Sequence, residues 1–428
     1  MKLVFFTPVI KSSAIGRMAC LIVRQLISDG HEVDLIRIEN EIYFEKPTHD
    51  FGLNFTSWTN SAEIQRLSEG ADALIYQIGD NYELHIGALE WLAKLPGIVC
   101  LHDFFLGNLF HKWAKFNRLN ANAALRSWCG AENPNQLFRY TNSEDLIAGT
   151  LLSTPMTEWL CAMAQAVVTH SNWGIERVLN SCPGPVHVIP LAYDAPKLPF
   201  KKTADKNKFE ILTVGNVNKN KRIESIITAI GKNRQLRKNS LYRLVGEIPS
   251  QTRNKLAALA KKSRVNLVIS GQVDDAILIQ AIEQADVITC LRSPVLEASS
   301  ASAIEAMLCG KPIIVTNHGF YSEIPDHCAI KINPDNEIAE IQSALTQFIN
   351  DPEQLSTQGL RGQLWAKATF RVDNYAAKLI EIAESTTRTK VLIDAINYFN
   401  QLMHGWGVNT DLGRDYIMKP LSVFDNIA

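Results

Sequence analysis

The sequence predicts an α/β protein made of two doubly wound, parallel-sheet domains. Short β-branched and apolar runs alternate with helical segments, the pattern of strands joined by crossover helices. The runs fall into two series, separated by a polar stretch from Asp194 to Lys208 that contains Pro196, Pro199, Lys201, Lys202 and Lys206 and reads as a hinge. With 428 residues, 46% hydrophobic and 20% charged, the chain has material for two cores and no signature of disorder.

The first series opens with Leu3 to Phe6, a turn from Pro8 to Gly16, a helical stretch from Met18 to Asp29 stopped by Gly30, and the strand Glu32 to Ile36, which together make a βαβ unit. Ala73–Gln77, Gly97–Leu101, Ala166–Thr169 and Val186–Ile189 follow as strands. The second series is Glu210–Val214, Leu241–Val245, Asn266–Ile269, Asp286–Cys290, Ile313–Val315 and Ala329–Ile332. The boundaries predicted are 1–195 and 196–385 for the two domains and 386–428 for a C-terminal tail, whose stretch Val391 to Met403 has helical periodicity.

Charge and cysteine usage narrow the class. Residues up to Asp194 carry 14 Lys and Arg against 20 acidic side chains, a balance of −6, while the remainder carries 29 against 24, or +5. A mildly basic second half suits an anionic small-molecule ligand and falls far short of a nucleic-acid binder. The eight cysteines are scattered without CxxC or metal-type spacing and read as reduced core residues of a cytoplasmic protein. The opening apolar run is too brief for a signal peptide, and no run reaches the roughly 18–20 residues that span a bilayer.

The richest stretch runs from Pro294 to Pro312. Strand-like runs flank it, Ser299 to Ser302 reads as the start of a helix, and Gly310-Lys311-Pro312 reads as its stop. A helix N-terminus thus lies beside Glu297 and Glu305. Backbone N–H groups there favour a phosphate, and a carboxylate two turns in can accept hydrogen bonds from a sugar diol, so the pair points to a sugar nucleotide. Ser302-x-x-Glu305 also fits a capping box, which would explain Glu305 without a ligand.

At these residues the chain resembles the retaining glycosyltransferases of family 4, of GT-B fold, in which two Rossmann-like domains face a cleft. The shared marks are Glu297, seven residues, Glu305-Ala306, then Gly310-Lys311-Pro312-Ile313-Ile314, Gly319 and Glu323. The usual Glu-Gly-Phe-Gly is here Glu297-Ala298-Ser299-Ser300. The resemblance spans most of residues 1–385 and is strongest from Gly215 to Glu323. It implies that Glu297 contacts the donor sugar, that Glu305 contacts the ribose, and that Ser299, Ser300 and Ala301 lie against the donor.

Further loops extend the resemblance. Pro8 to Gly16 resembles the family's glycine-rich loop, here carried by Gly16. Cys100-Leu101-His102-Asp103 resembles the Leu-His-Asp that follows a strand in many members, which implies His102 near the donor sugar with its backbone carbonyl facing the anomeric centre. Asp103 is then placed to orient the His102 ring. The loop Tyr76 to His85 offers His85 as a second acceptor contact beside Asp103. Gly215-Asn216 to Lys221-Arg222 resembles the Gly-Arg…Lys loop, with Asn216 at the usual Arg and Lys221 at the diphosphate-binding Lys; Arg222 or Lys219 would then replace the missing phosphate clamp. Val273 is placed to support the base, while Asp274 beside it also reads as an ordinary helix N-cap.

Absences sharpen the reading. There is no Gly-x-Gly-x-x-Gly, no P-loop and no Asp-x-Asp, which disfavours a nicotinamide dehydrogenase, an NTPase and a metal-dependent transferase of the other glycosyltransferase fold. The expectation is a metal-independent, retaining hexosyltransferase with no bound cofactor, His102, Glu297 and Lys221 in catalytic roles, a UDP- or GDP-sugar donor, and a saccharide, lipid-linked or protein acceptor. The alternatives are a GT-B sugar-nucleotide epimerase and a catalytically silent subunit. A basic amphipathic helix over 109–126, with Leu109, Phe110, Trp113 and Phe116 on one face, offers a peripheral membrane contact; a helix packed on its domain is the competing reading.

Overall fold

A strand that is apolar along its whole length needs both faces covered, and Leu3, Val4, Phe5 and Phe6 are all fully buried. A computed structural model describes residues 1–130, 134–196 and 208–405 and shows how that burial is met. The first sheet holds β1 (Lys2–Thr7), β2 (Glu32–Arg37), β3 (Phe55–Ser57), β4 (Ala73–Ile78), β5 (Ile98–Leu101), β6 (Ala166–Thr169) and β7 (Val186–Val188). Its order is β3-β2-β1-β4-β5-β6-β7, every neighbouring pair parallel. The second sheet holds β8 (Phe209–Val214), β9 (Ser240–Val245), β10 (Leu267–Gly271), β11 (Val287–Cys290), β12 (Ile313–Thr316) and β13 (Ile330–Ile332) in the order β10-β9-β8-β11-β12-β13, again all parallel.

The expected strands are present, with β3 added at the first sheet's edge. Three half-buried residues there carry too little periodicity to be read from sequence. Helix α1 (Ala14–Ser28) begins earlier than its apolar pattern predicts, because the Ser13 hydroxyl caps it by accepting from Gly16 N–H at 3.0 Å.

The stretch 109–126 forms two helices, α2 (Gly107–Phe116) and α3 (Arg118–Cys129), broken at Asn117. The stripe read as membrane-facing is largely core: Leu109 and Phe110 are fully buried, and Trp113 packs 4.7 Å from the Trp159 ring. Its basic face is partly engaged too, with Lys112 on Glu83 and the Arg118 guanidinium 3.2 Å from the Phe138 ring. Phe116 and Leu119 remain exposed. Among the described residues no helix is long and apolar enough to cross a membrane.

The chain closes by returning to its first half. Helix α5 (Val372–Gly405) follows the second sheet, yet the Tyr375 ring lies 5.8 Å from His170, and Thr387 Oγ1 donates to Asp72 O at 3.1 Å. This helix runs unbroken through the expected tail boundary at 386, since nothing between Val372 and Gly405 interrupts it. The tail beyond 405 lies outside the described residues, as does most of the expected hinge. Tyr375, Ala376, Leu379 and Ala383 are buried in a core shared with β1, β4 and β12. Replacing Leu379 by Ala should lower the unfolding free energy by about 2–5 kcal/mol, read as an earlier urea midpoint; an unchanged midpoint would show the helix to be dispensable.

Candidate functional site

Parallel sheets expose a crevice beyond the carboxyl ends of their strands where the strand order reverses. That point is β1/β4 in the first sheet and β8/β11 in the second. The loops that follow β5 and β6 in the first sheet meet the loop that follows β11 in the second. Phe104 and Phe105 N–H both donate to Leu296 O, at 2.8 and 3.1 Å, Ala298 N–H donates to His102 O at 2.8 Å, and Asp103 pairs with Glu297 as an antiparallel bridge. Ser171 Oγ donates to Ala298 O at 2.6 Å, and Glu323 accepts from Asn172 and Trp173 N–H at 2.8 and 3.1 Å. Glu323 therefore fastens the two halves together.

On the second-sheet side, helix α4 (Ala301–Leu308) starts beside this seam, capped by Ser300 Oγ, which accepts from Ala303 N–H. The cap sits two residues before Ser302, so the Ser302/Glu305 capping box does not form. The Ser299 hydroxyl is buried with no hydrogen-bond partner. Glu297 Oε1 lies 3.0 Å from Arg292 Nε and accepts from Tyr321 OH at 2.8 Å. Arg292 is anchored in turn, its N–H on Thr316 Oγ1 at 2.8 Å and its Nη1 on Leu291 O at 2.8 Å.

Lys221 belongs to the same group. Ser293 N–H donates to Asn220 O at 2.9 Å, which ties the loop after β8 to the loop after β11. The Lys221 ammonium is buried and donates to Val214 O. Burial first, then the neighbouring Arg292 charge, pull its pKa down to about 7, against the opposing pull of Cys290 and Glu297. Gly215 leaves room for it: φ is +91°, and a Cβ there would stand 2.6 Å from Lys221 Nζ. Asn216 is exposed. Arg222 and Lys219, the expected replacements for the phosphate clamp, are both ion-paired: the Arg222 guanidinium is bidentate with Glu337 at 2.8–3.1 Å, and Lys219 pairs with Glu144 at 3.2 Å. Arg292, not singled out in the sequence, is the second cation here. A basic residue directly after an apolar strand was its only signal.

The first-sheet side is a buried polar cluster. His102 Nε2 lies 2.7 Å from Gln77 Oε1, and His85 Nδ1 lies 3.0 Å from Gln77 O. Burial lowers both imidazoles, His85 to about 4, so both are neutral. Gln77, not Asp103, orients the His102 ring. Asp103 Oδ2 instead accepts from Asp80 N–H at 2.8 Å, and burial raises its carboxyl to about 7. His85 is 1% exposed and reaches no open surface, while the His102 carbonyl is occupied by Ala298 N–H. Gly16 is fixed by space, since a Cβ would lie 2.5 Å from Pro8 O. Val273 packs half-buried at the edge of the shared core, and Asp274 caps the following helix by accepting from Ile277 N–H at 2.8 Å.

Glu305 lies across the cleft from α1. Arg17 Nη1 reaches Glu305 Oε1 at 3.1 Å and Tyr193 OH at 3.2 Å, and Arg17 Nη2 reaches Asp194 Oδ1 at 2.8 Å. Sequence reasoning stopped one residue short of Arg17, at Gly16.

Residues 194–365 match the family described as glycosyl transferases group 1. No curated protein sequence matches the chain. Among solved structures, HepE from Anabaena in complex with UDP superposes with a TM-score of 0.60 at 16% identity, covering 90% of this chain and all of that one. Sucrose-phosphate synthase from Thermosynechococcus elongatus gives 0.60 and 16%, over 90% and 98% of the two chains. WaaG, a glycosyltransferase involved in lipopolysaccharide biosynthesis, gives 0.55 and 15%, over 88% and 98%. These similarities show the GT-B fold along most of the chain.

The buried lysine gives the free protein a pH signature. Its folded pKa near 7 lies below the ordinary 10.5, so between these values the unfolded chain binds more protons and stability rises with pH. Between pH 7.5 and 9 Lys221 should therefore contribute a rising slope of up to about 1.4 kcal/mol per pH unit to the unfolding free energy, against falling contributions from Asp103 and the buried cysteines that a Lys221 variant shares. Lys221→Met should flatten that slope in urea melts; an identical slope in the variant would place the titrating group elsewhere.

Proposed function

We propose that the chain is a retaining glycosyltransferase that moves a hexosyl group from a UDP- or GDP-sugar to a hydroxyl acceptor without a metal ion. One observation carries the reading: Lys221, Arg292, the unpartnered Ser299 hydroxyl and the N-terminus of α4 lie on the loops at the second sheet's switch point, against the loop that follows β5. That grouping suits a diphosphate. Its anionic oxygens would take the Lys221 and Arg292 donors and the α4 N-terminus, and their charge would raise the Lys221 pKa so that the ammonium is fully protonated when the donor is bound.

Each side chain then has a task in a same-face displacement. The bond between the anomeric carbon and the phosphate oxygen breaks, and the acceptor oxygen bonds to that carbon from the same side. The acceptor proton passes to a phosphate oxygen of the leaving nucleoside diphosphate. Lys221 and Arg292 neutralise the charge that develops on that diphosphate, as preorganised donors do in a dry site. Glu297, itself held by the Tyr321 hydroxyl, holds Arg292, and Glu305 accepts the ribose diol. The carbonyl of His102 can face the sugar only if the 102–105 and 296–298 segments part, so turnover on this reading includes an opening step.

Exposed Asn216 and the occupied His102 carbonyl favour a second reading, a silent subunit that binds sugar nucleotide without transferring it. Thermal stabilisation by UDP, GDP and their hexoses, with EDTA present, tests the donor site: a ligand at a hundredfold its Kd adds about 2.7 kcal/mol. Acceptor-dependent release of nucleoside diphosphate then separates transferase from silent subunit, and the product's anomeric NMR signal reports retention. Lys221→Met should cut kcat by about 10²–10³-fold with the fold intact. No stabilisation by any nucleoside diphosphate would sink the donor-site assignment, and binding without turnover would favour the silent subunit.

A further inference from the structure

Arg17 stands on the opposite half of the molecule from Glu305, yet it is held more firmly than a casual ion pair requires. Its guanidinium lies 4.7 Å over the Tyr193 ring, donates to Tyr193 OH and Glu305 Oε1 from one nitrogen, and meets Asp194 Oδ1 and the Asp194 carbonyl with another, at 2.8 and 3.4 Å. A fork fixed on two edges and a face has already lost its rotamer freedom, so it holds a carboxylate in one orientation at little further entropic cost. Glu305 needs such a partner. Its side chain is only 12% exposed; burial drives its carboxyl pKa up, and Arg17 is the largest opposing influence. Arg17 engages Oε1 and leaves Oε2 for another donor.

We propose that Arg17 is a positioning residue for nucleotide recognition: it reaches across the cleft to keep Glu305 ionised and oriented so that the carboxylate accepts the hydroxyls of the ribose. This rests on the reading of Glu305 as the ribose contact. It makes ribose selectivity a property of both halves of the chain, complete only when α1 and α4 face each other. Arg17 has no contact with the diphosphate on this account, so its removal should affect the sugar hydroxyls of the nucleotide and nothing else.

The test uses the full chain and calorimetric titration with UDP and 2′-deoxy-UDP, and with the corresponding guanosine pair, in wild type, Arg17→Met, Arg17→Lys, Glu305→Gln and the Arg17→Met, Glu305→Gln double variant. Wild type should favour the ribonucleotide by about tenfold or more, the scale of one hydrogen bond to a charged acceptor. Arg17→Met and Glu305→Gln should each bring that preference to near parity while deoxynucleotide affinity holds, and the double variant should lose nothing more. Arg17→Lys keeps the charge without the fork and should retain part of the preference, which guards against misreading an Arg17→Met variant that folds poorly. A wild-type ribo-to-deoxy ratio in both Arg17 variants would overturn the proposal. Tighter ribonucleotide binding in Arg17→Met would also overturn it and make the pair an autoinhibitory latch. Absence of any preference in wild type would remove Glu305 from the ribose, a failure of the underlying reading rather than of Arg17's effect on it.

Discussion

The backbone seam between residues 102–105 and 296–298 is the constraint on which the site depends. Leu296 O accepts two N–H groups from the first half, and Ala298 N–H donates to His102 O. A seam of main-chain hydrogen bonds fixes register as a sheet does, so Asp103 and Glu297 are set opposite each other without any help from their side chains. Glu323 on Asn172 and Trp173 and Arg17 on Glu305 then tighten the same interface. Helix α5, packed on the first sheet after leaving the second, limits how far the halves can separate.

Burying charge at such a seam is costly unless each charge finds a partner, and most here do. Arg292 faces Glu297, Arg222 faces Glu337, and Arg17 faces Glu305 and Asp194. Lys221 is different. It donates to a backbone carbonyl, has Arg292 as its nearest strong influence after burial, and carries a pKa of about 7. On the proposed reading a lysine held in that state, with Arg292 as its neighbour, awaits an anion, whereas Arg17 and Arg222 are already paired with carboxylates.

On the first-sheet side the balance is reversed. His85, His102 and His170 are kept neutral by burial, and Asp103 is held near neutrality beside Asp80. That half therefore offers a polar surface of low charge, while the second half concentrates positive charge near the crevice. The split follows the net charges of the two parts of the sequence only in sign; the local difference comes from which groups are buried.

The alternation of apolar runs and helices was legible because fully buried parallel strands must be apolar throughout, and Leu3 to Phe6 or Ile313 to Val315 have no other use. Glycines at tight approaches, such as Gly16 and Gly215, were legible because few residues fit there. Edge strand β3, the break at Asn117 and the continuation of α5 past 386 were not, since short edges and helix ends are decided by packing and caps more than by periodicity. The sequence by itself determined two parallel sheets, the placement of Lys221 and Glu297 on loops that leave the second sheet's switch point, and that of Glu305 in the helix that follows. Only the tertiary structure decided partners: Arg17 for Glu305, Arg292 for Glu297, Gln77 rather than Asp103 for His102, and Glu337 for Arg222. Such pairings join residues up to 288 positions apart, and no local pattern encodes which of many charged side chains will be carried to the same point in space.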